Sequence, residues 1–152
     1  MIEITNLVKK YGPHAAVSDV SFKISEGEIV GFLGPNGAGK STTMNILAGY
    51  LSPTSGNVSI NGLDIAKDSK AAKAQIGYLP EHPPLYLDML VCEYLNFVAE
   101  LKNVSEDKKK HIDEICELVS ISQVKNRLIG NLSKGYRQRV GLAQALDRKS
   151  VV

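Results

Sequence analysis

The 152-residue sequence predicts an α/β fold, and three observations carry that prediction. A glycine-rich stretch, Gly34-Pro35-Asn36-Gly37-Ala38-Gly39-Lys40-Ser41, lies between a strand-like apolar run and a helix-like run. Up to about Leu63, short alternating segments are broken by turn residues, as in paired strands. From Asp88 onward, apolar residues recur at three- and four-residue steps, as on helices with one buried face.

The elements follow in order. Ile2-Glu3-Ile4 and Val17 to Ile24 alternate as strands, and Ser25-Glu26-Gly27-Glu28 turns the chain. Glu28 to Leu33 is a short apolar run expected to be a buried strand leading into the glycine-rich loop. Ser41 to Ala48 is expected to start a helix. Pro53-Thr54-Ser55-Gly56 marks a turn, Asn57 to Ile60 another strand. Asn61-Gly62 suits a two-residue hairpin turn, where both positions need positive φ. A short helix from about Ala66 is expected to lead into Gln75 to Pro80, an apolar strand ended by proline.

In the second half, Val91, Tyr94, Leu95, Val98 and Leu101 predict one apolar helix face, and Ile112, Ile115, Leu118 and Val119 a second. Ser105 is the expected cap of that second helix, with Lys108-Lys109-Lys110 on its solvated side. Cys92 and Cys116 have no C-x-x-C spacing and are read as reduced core thiols.

Composition narrows the function. The sequence is 43% hydrophobic and 22% charged with a net charge of +2, ordinary for one globular domain. So small a charge makes no electrostatic case for nucleic acid or an acidic membrane surface. No apolar run approaches the ~18 residues of a membrane span, and Met1-Ile2-Glu3-Ile4 enters a strand directly, without a secretory-signal pattern.

Residues 34–41 match G-x-x-x-x-G-K-[ST] at every fixed position. Glycines let backbone N–H groups turn inward around phosphates, the lysine reaches the β/γ oxygens, and the serine hydroxyl takes a place on Mg²⁺. The helix that follows has unpaired first N–H groups and a dipole that favours anions. A random chain of this size contains the spacing in roughly 0.5% of cases. The segment is a nucleotide-binding loop.

Four further segments accompany it: Tyr11 in Asn6-Leu7-Val8-Lys9-Lys10-Tyr11-Gly12, Glu81 after Tyr78-Leu79-Pro80, Leu132-Ser133-Lys134-Gly135-Tyr136-Arg137-Gln138-Arg139-Val140, and Pro83-Pro84-Leu85-Tyr86-Leu87-Asp88. With the loop, this series resembles the ATP-binding subunits of ABC transporters from Met1 to about Leu146, nearest in pattern to the ABC-2-type, gliding-motility and multidrug-export branches.

The resemblance implies an α/β P-loop NTPase (RecA-like) core with an N-terminal antiparallel β subdomain and a helical signature subdomain. Residues 1–84 would hold the β subdomain and P-loop core, and residues 85–146 the helical part. It implies that Tyr11 stacks on adenine, a contact of about 1–3 kcal/mol per base. Gly34, Pro35, Asn36, Gly37, Ala38, Gly39, Lys40, Ser41 and Thr42 would bind ATP, with Lys40, Glu81 and Ser133 in catalytic roles.

Glu81 occupies a position that is usually glutamine in the family, reaching Mg²⁺ or the attacking water. A carboxylate is a good Mg²⁺ ligand, so Ser41 and Glu81 are the expected metal residues. Without the cation, each like-charge pair at ~4 Å and an effective dielectric of ~20 costs about 4 kcal/mol. Residues 132–136 resemble the LSGGQ signature, with Lys134 replacing the first glycine of the pair and Tyr136 the glutamine. Ser133 and Gly135 remain and would serve ATP held by a partner subunit. Arg137 and Arg139 are read as solvated. Residues 83–88 resemble the docking region for a membrane subunit, with plain core packing as the equal alternative.

The family carries an apolar run ending Asp-Glu and then a histidine loop after the signature, and neither is present, since His14, His82 and His111 all precede it. The expectation is therefore a truncated cassette lacking the C-terminal half of its core, inactive as written. One codon choice for Asp147-Arg148-Lys149-Ser150-Val151-Val152, GATCGGAAGAGCGTCGTG, resembles a common sequencing-library adapter, so this segment is expected to be a non-native tail.

The parent function implied is an ATPase subunit coupling Mg·ATP hydrolysis to transport. Its partners would be a second ATP-binding subunit, as homodimer or heterodimer, and an integral membrane permease, with no nucleic acid. Its location would be cytoplasmic, peripheral on the inner face of the membrane. A soluble non-transport ABC ATPase and a non-catalytic ATP-binding fragment are the alternatives left open.

Overall fold

The computed structural model describes residues 1–102 and 107–146. The chain divides into two units, Met1–Ile76 and a second beginning at Gly77. The expected tail, residues 147–152, and the expected cap Ser105 lie outside the described residues.

The first unit is built on a four-stranded antiparallel sheet in the order β2-β1-β3-β4, from β1 (Ile2–Tyr11), β2 (His14–Ile24), β3 (Ser55–Ile60) and β4 (Leu63–Asp64). The three alternating segments, residues 2–4, 17–24 and 57–60, form strands longer than predicted. β1 and β2 pair from Ile2–Ile24 to Tyr11–His14 with register shifts between Ile4 and Lys10. Asn6 and Asp19 take positive φ of 48° and 53° within these irregular stretches. The Asn6 amide donates to Asp19 Oδ1 at 2.8 Å, and Asn6 N–H donates to Ser21 Oγ at 2.8 Å, so the irregularity leaves these groups hydrogen-bonded. Asn61-Gly62 makes the expected hairpin turn, with φ of 50° and 80° between paired Ile60 and Leu63.

Ile4, Leu7, Val17, Val58 and Ile60 are buried with Ile46 and Leu47 of α1 (Lys40–Leu47), together with Ile65 and with Ala72 of α2 (Ser69–Lys73). Burying a side chain such as Ile46, 0% exposed, contributes about 1.5–3 kcal/mol. That is what fixes α1, and hence the loop before it, to the sheet.

Two predicted strands do not form. Residues 28–33 have no ladder, and Ile29 and Leu33 are 97% and 91% exposed. An extended segment becomes a buried strand only when neighbours take its backbone hydrogen bonds and cover both its faces. Among the described residues no strand pairs with it, and only Phe32 finds an aromatic neighbour, Phe22, at 5.7 Å between ring centroids. Gln75 to Pro80 is likewise not a strand.

The second unit is helical: α3 (Val91–Leu101), α4 (Lys108–Leu118) and α5 (Lys134–Leu146), with single 3₁₀ turns at Ser122–Val124 and Ile129–Asn131. Its core joins Val91, Tyr94, Leu95 and Val98 of α3 to Ile112, Ile115 and Cys116 of α4 and to Val140 and Ala143 of α5. Leu101 and Leu118 were expected inside but are 66% and 72% exposed. Each lies about a quarter-turn or more from the centre of its helix's stripe, whose inner positions go to Ala99 and Cys116.

Asp107 caps α4, its carboxylate accepting Lys110 N–H at 3.4 Å. Lys109 and Lys110 are exposed, and Lys108 reaches Glu100 at 3.5 Å. Both cysteines are free. Cys116 is buried, and that burial pushes its thiol above the ordinary range. Cys92 is half-buried rather than in the core, its thiol 3.7 Å from Asn126 Oδ1.

Candidate functional site: a phosphate-binding loop and a signature helix

In the first unit, residues 34–42 wrap into the start of α1. Gly37 and Gly39 both take φ of 83°. A Cβ at Gly39 would also run into the Ala16 carbonyl and Val17 of β2, so only glycine fits where the loop meets the sheet. Gly39 caps α1 with no side-chain hydrogen bond, so the first N–H groups of the helix are left to whatever the loop encloses. Lys40 arches over the loop, its ammonium donating to Gly34 O at 2.7 Å and Pro35 O at 2.8 Å. Ser41 is exposed and Thr42 half-buried in the first turn. Thr43, 2% exposed, locks the turn from below by donating its hydroxyl to Gly39 O at 3.0 Å.

This donor set fits a polyphosphate: a helix N-terminus without a side-chain cap, the Lys40 ammonium held at the loop, and two positive-φ glycines in an exposed loop. It fits Mg²⁺ only in part. Among the described residues no cluster of three His, Cys, Asp or Glu could cage a metal. A cation here would rely on one or two protein oxygens and on the nucleotide's own phosphates, which is the usual habit of Mg²⁺.

Tyr11 ends β1 with its ring half-exposed. Lys9 lies two residues back on the same strand, its ammonium 5.3 Å from the ring centroid while donating to Ser52 O at 2.8 Å. One side of the ring is thus occupied by a cation. Sequence reasoning singled out neither Lys9 nor Thr43. The strand period of two put Lys9 within reach of Tyr11, and that was the available signal.

Glu81 and Ser133 both belong to the second unit. Glu81 is exposed, and its backbone carbonyl accepts the Gln138 amide at 2.6 Å. Ser133 precedes α5, where its hydroxyl accepts Tyr136 N–H at 3.4 Å and its carbonyl accepts Arg137 N–H at 3.0 Å. Gly135 faces open space, with no atom within 4 Å of where a Cβ would stand. Tyr136, which stands where the family has glutamine, accepts from the Gln123 amide at 2.9 Å and lies under the Arg139 guanidinium at 5.7 Å.

The two arginines are not simply solvated. Arg137 donates to Leu132 O at 2.9 Å and Arg139 to Ser120 O at 3.2 Å, so both brace their own unit. Residues 83–88 divide between the two expectations. Leu85 packs against the helical core, while Tyr86 and Leu87 are 53% and 50% exposed. Tyr86 stands edge-on to Tyr94 and Phe97 at 6.0 and 5.8 Å.

Known proteins resemble this chain in sequence and in fold. The family model described as ABC transporter matches residues 17–152. The uncharacterized ABC transporter ATP-binding protein YxlF of Bacillus subtilis is 44% identical over 150 residues, covering 98% of this chain and 49% of its own. The bacitracin transport ATP-binding protein BcrA of Bacillus licheniformis is 38% identical over 146 residues, covering 96% of this chain and 47% of its own. The chain thus spans about half the length of the curated relatives it matches. Among solved structures, the dimeric post-hydrolysis state of the ATP-binding cassette MJ0796, bound to ADP and Pi, superposes with a TM-score of 0.82 at 28% identity. That match covers 97% of this chain and 69% of the other.

Proposed function

The chain belongs to the ABC transporter family, and from that premise we propose that it binds ATP as part of a subunit that hydrolyses Mg·ATP to drive a separate membrane permease. The observation that carries the proposal is the loop of residues 34–42. It delivers a helix start without a side-chain cap, two positive-φ glycines and the Lys40 ammonium to one exposed place.

In this reading Gly34 to Thr42 cradle the phosphates, and Lys40 exchanges the Gly34 and Pro35 carbonyls for β/γ oxygens. Tyr11 stacks on adenine with the face not taken by Lys9. Ser41 and Glu81 serve Mg²⁺, which when bound offsets the charge of the phosphates. Glu81 also reaches the attacking water. Ser133 and Gly135, at the start of α5, serve ATP held by a partner subunit, so two such subunits close on two nucleotides as a homodimer or heterodimer. The dimeric MJ0796 cassette with ADP and Pi and the transport role named for BcrA support this reading. No described helix is long and apolar enough to cross a membrane, which accords with a cytoplasmic subunit held at the membrane by its permease.

The test is calorimetric titration of Mg·ATP into the wild-type protein and Lys40→Ala. The substitution removes the ammonium and keeps the fold, because the helix below is fixed by Ile46, Leu47 and Thr43. A loss of affinity of more than about tenfold is expected, in line with about 1.5–3 kcal/mol for a hydrogen bond to a charged group. Equal affinity would refute the assignment.

A further inference from the structure

Residues 77–83 lie along one side of α5 at three heights. At the first, the Gln138 amide donates to the backbone carbonyl of Glu81 at 2.6 Å, across 57 residues of sequence. At the second, Gly141 is flush with the segment. A Cβ there would stand 2.8 Å from both Leu79 Cδ1 and Pro83 Cβ. At the third, a Cβ at Gly77 would run into the Ala145 carbonyl. Gln138, Gly141 and Ala145 recur at three- and four-residue steps, so they form one face of the helix. Gly77 brings backbone against backbone, Gly141 leaves room for the Leu79 and Pro83 side chains, and the glutamine supplies the directional bond.

We propose that Gln138 is a positioning residue for Glu81. Its amide grips the carbonyl of the residue whose carboxylate is to serve the cation, and so sets the direction in which that carboxylate leaves the segment. The same helix directly follows Ser133, whose carbonyl and hydroxyl close its first turn. One rigid rod therefore carries both the signature serine and the grip on Glu81. The inference rests on the reading of Glu81 as a Mg²⁺ residue and adds the group that aims it. Gly141 has a matching role, since its missing side chain is what lets Leu79 and Pro83 close on the helix.

ATP affinity of the intact protein, measured in Mg²⁺ and in EDTA, tests the idea in the wild type, Glu81→Ala, Gln138→Met and the double variant. Methionine keeps the length and helix preference of glutamine and removes the donor. Glu81→Ala should reduce the gain in affinity that Mg²⁺ confers. Gln138→Met should reduce the same gain by about threefold to tenfold, leave affinity in EDTA unchanged, and add nothing further in the double variant.

If Glu81→Ala reduces the gain and Gln138→Met does not, the inference fails while Glu81 keeps its role. If Glu81→Ala leaves the gain intact, that role fails and the inference with it. An equal loss in Mg²⁺ and EDTA from Gln138→Met marks a merely structural contact and overturns the proposal. Should Gln138→Met not fold, Gly141→Ala displaces Leu79 and Pro83 while keeping the amide. The same Mg²⁺-selective loss is expected, and a loss that is independent of Mg²⁺ overturns the proposal.

Discussion

In the proposed function single residues carry the nucleotide chemistry, each with a distinct physical job. Gly39 is fixed by its φ of 83° and by the Ala16 carbonyl beneath it. Gly39→Ala should therefore distort the loop and lower both thermal stability and ATP affinity, while Ala38→Gly in the same loop should leave the melting temperature nearly unchanged. Tyr11 is proposed to work through its ring face. Tyr11→Ala is expected to weaken ATP binding by about 1–3 kcal/mol, whereas Tyr11→Phe keeps most of the affinity. Comparing ATP with inorganic triphosphate checks the assignment, because the tyrosine change should act only on the ligand that has a base. Equal losses for both ligands would remove Tyr11 from the base site.

The residue scale is also where reading the sequence had its limits. The loop was legible because its fixed spacing is a local requirement of phosphate binding. The Gln138–Glu81 bond was not, because it joins a side chain to a backbone carbonyl across 57 residues, and nothing in either local pattern specifies the other.

At the scale of elements, burial decides which predictions held. β1 to β4 and α1 formed where an alternating or helical stripe met a partner, with Ile4, Leu7, Val58 and Ile46 all inside one core. The apolar run Glu28 to Leu33 was read as a strand from composition, but strand formation is a property of pairs, and Ile29 and Leu33 stand in solvent. Leu101 and Leu118 failed for a simpler reason, since three-residue steps drift off a stripe that turns 3.6 residues at a time. The contrast is measurable. Ile46→Ala should destabilise the first unit by about 2–5 kcal/mol, whereas Leu118→Ser should change stability by no more than about 0.5 kcal/mol, both read from denaturant melts.

The turn between β4 and α2 adds a pH dependence. The Asp64 carboxyl is held below the usual aspartate range chiefly because Ala66 N–H donates to it at 2.8 Å. Desolvation opposes this, and Lys67 adds to it through its N–H and its ammonium. A carboxyl lowered in the folded state stabilises fully above its unfolded value of about 3.9 and loses that stabilisation as pH falls through the folded value. Asp64→Asn should therefore lower stability modestly above about pH 4, where the carboxylate contributes, and flatten the acid limb of the stability curve below it.

The whole molecule is a member of the ABC transporter family that spans about half the length of its matched relatives. Its two units divide the proposed labour. The first carries the phosphate loop and the base-stacking ring, and the second carries Glu81 and the signature helix with its Ser133 and Gly135. In the proposed reading the signature serves a partner's nucleotide, and association should then depend on ATP. Sedimentation should show a shift toward dimer with Mg·ATP and none with Mg·ADP, and Ser133→Arg should abolish the shift while leaving ATP affinity of the monomer intact.

All of these readings stand on the loop being a nucleotide site, and calorimetric titration of Mg·ATP against wild type and Lys40→Ala tests that most directly. Saturable binding near one nucleotide per chain is expected, weakened more than about tenfold by the substitution. Binding that is absent from the folded wild-type protein, or unchanged by loss of the lysine, would contradict it.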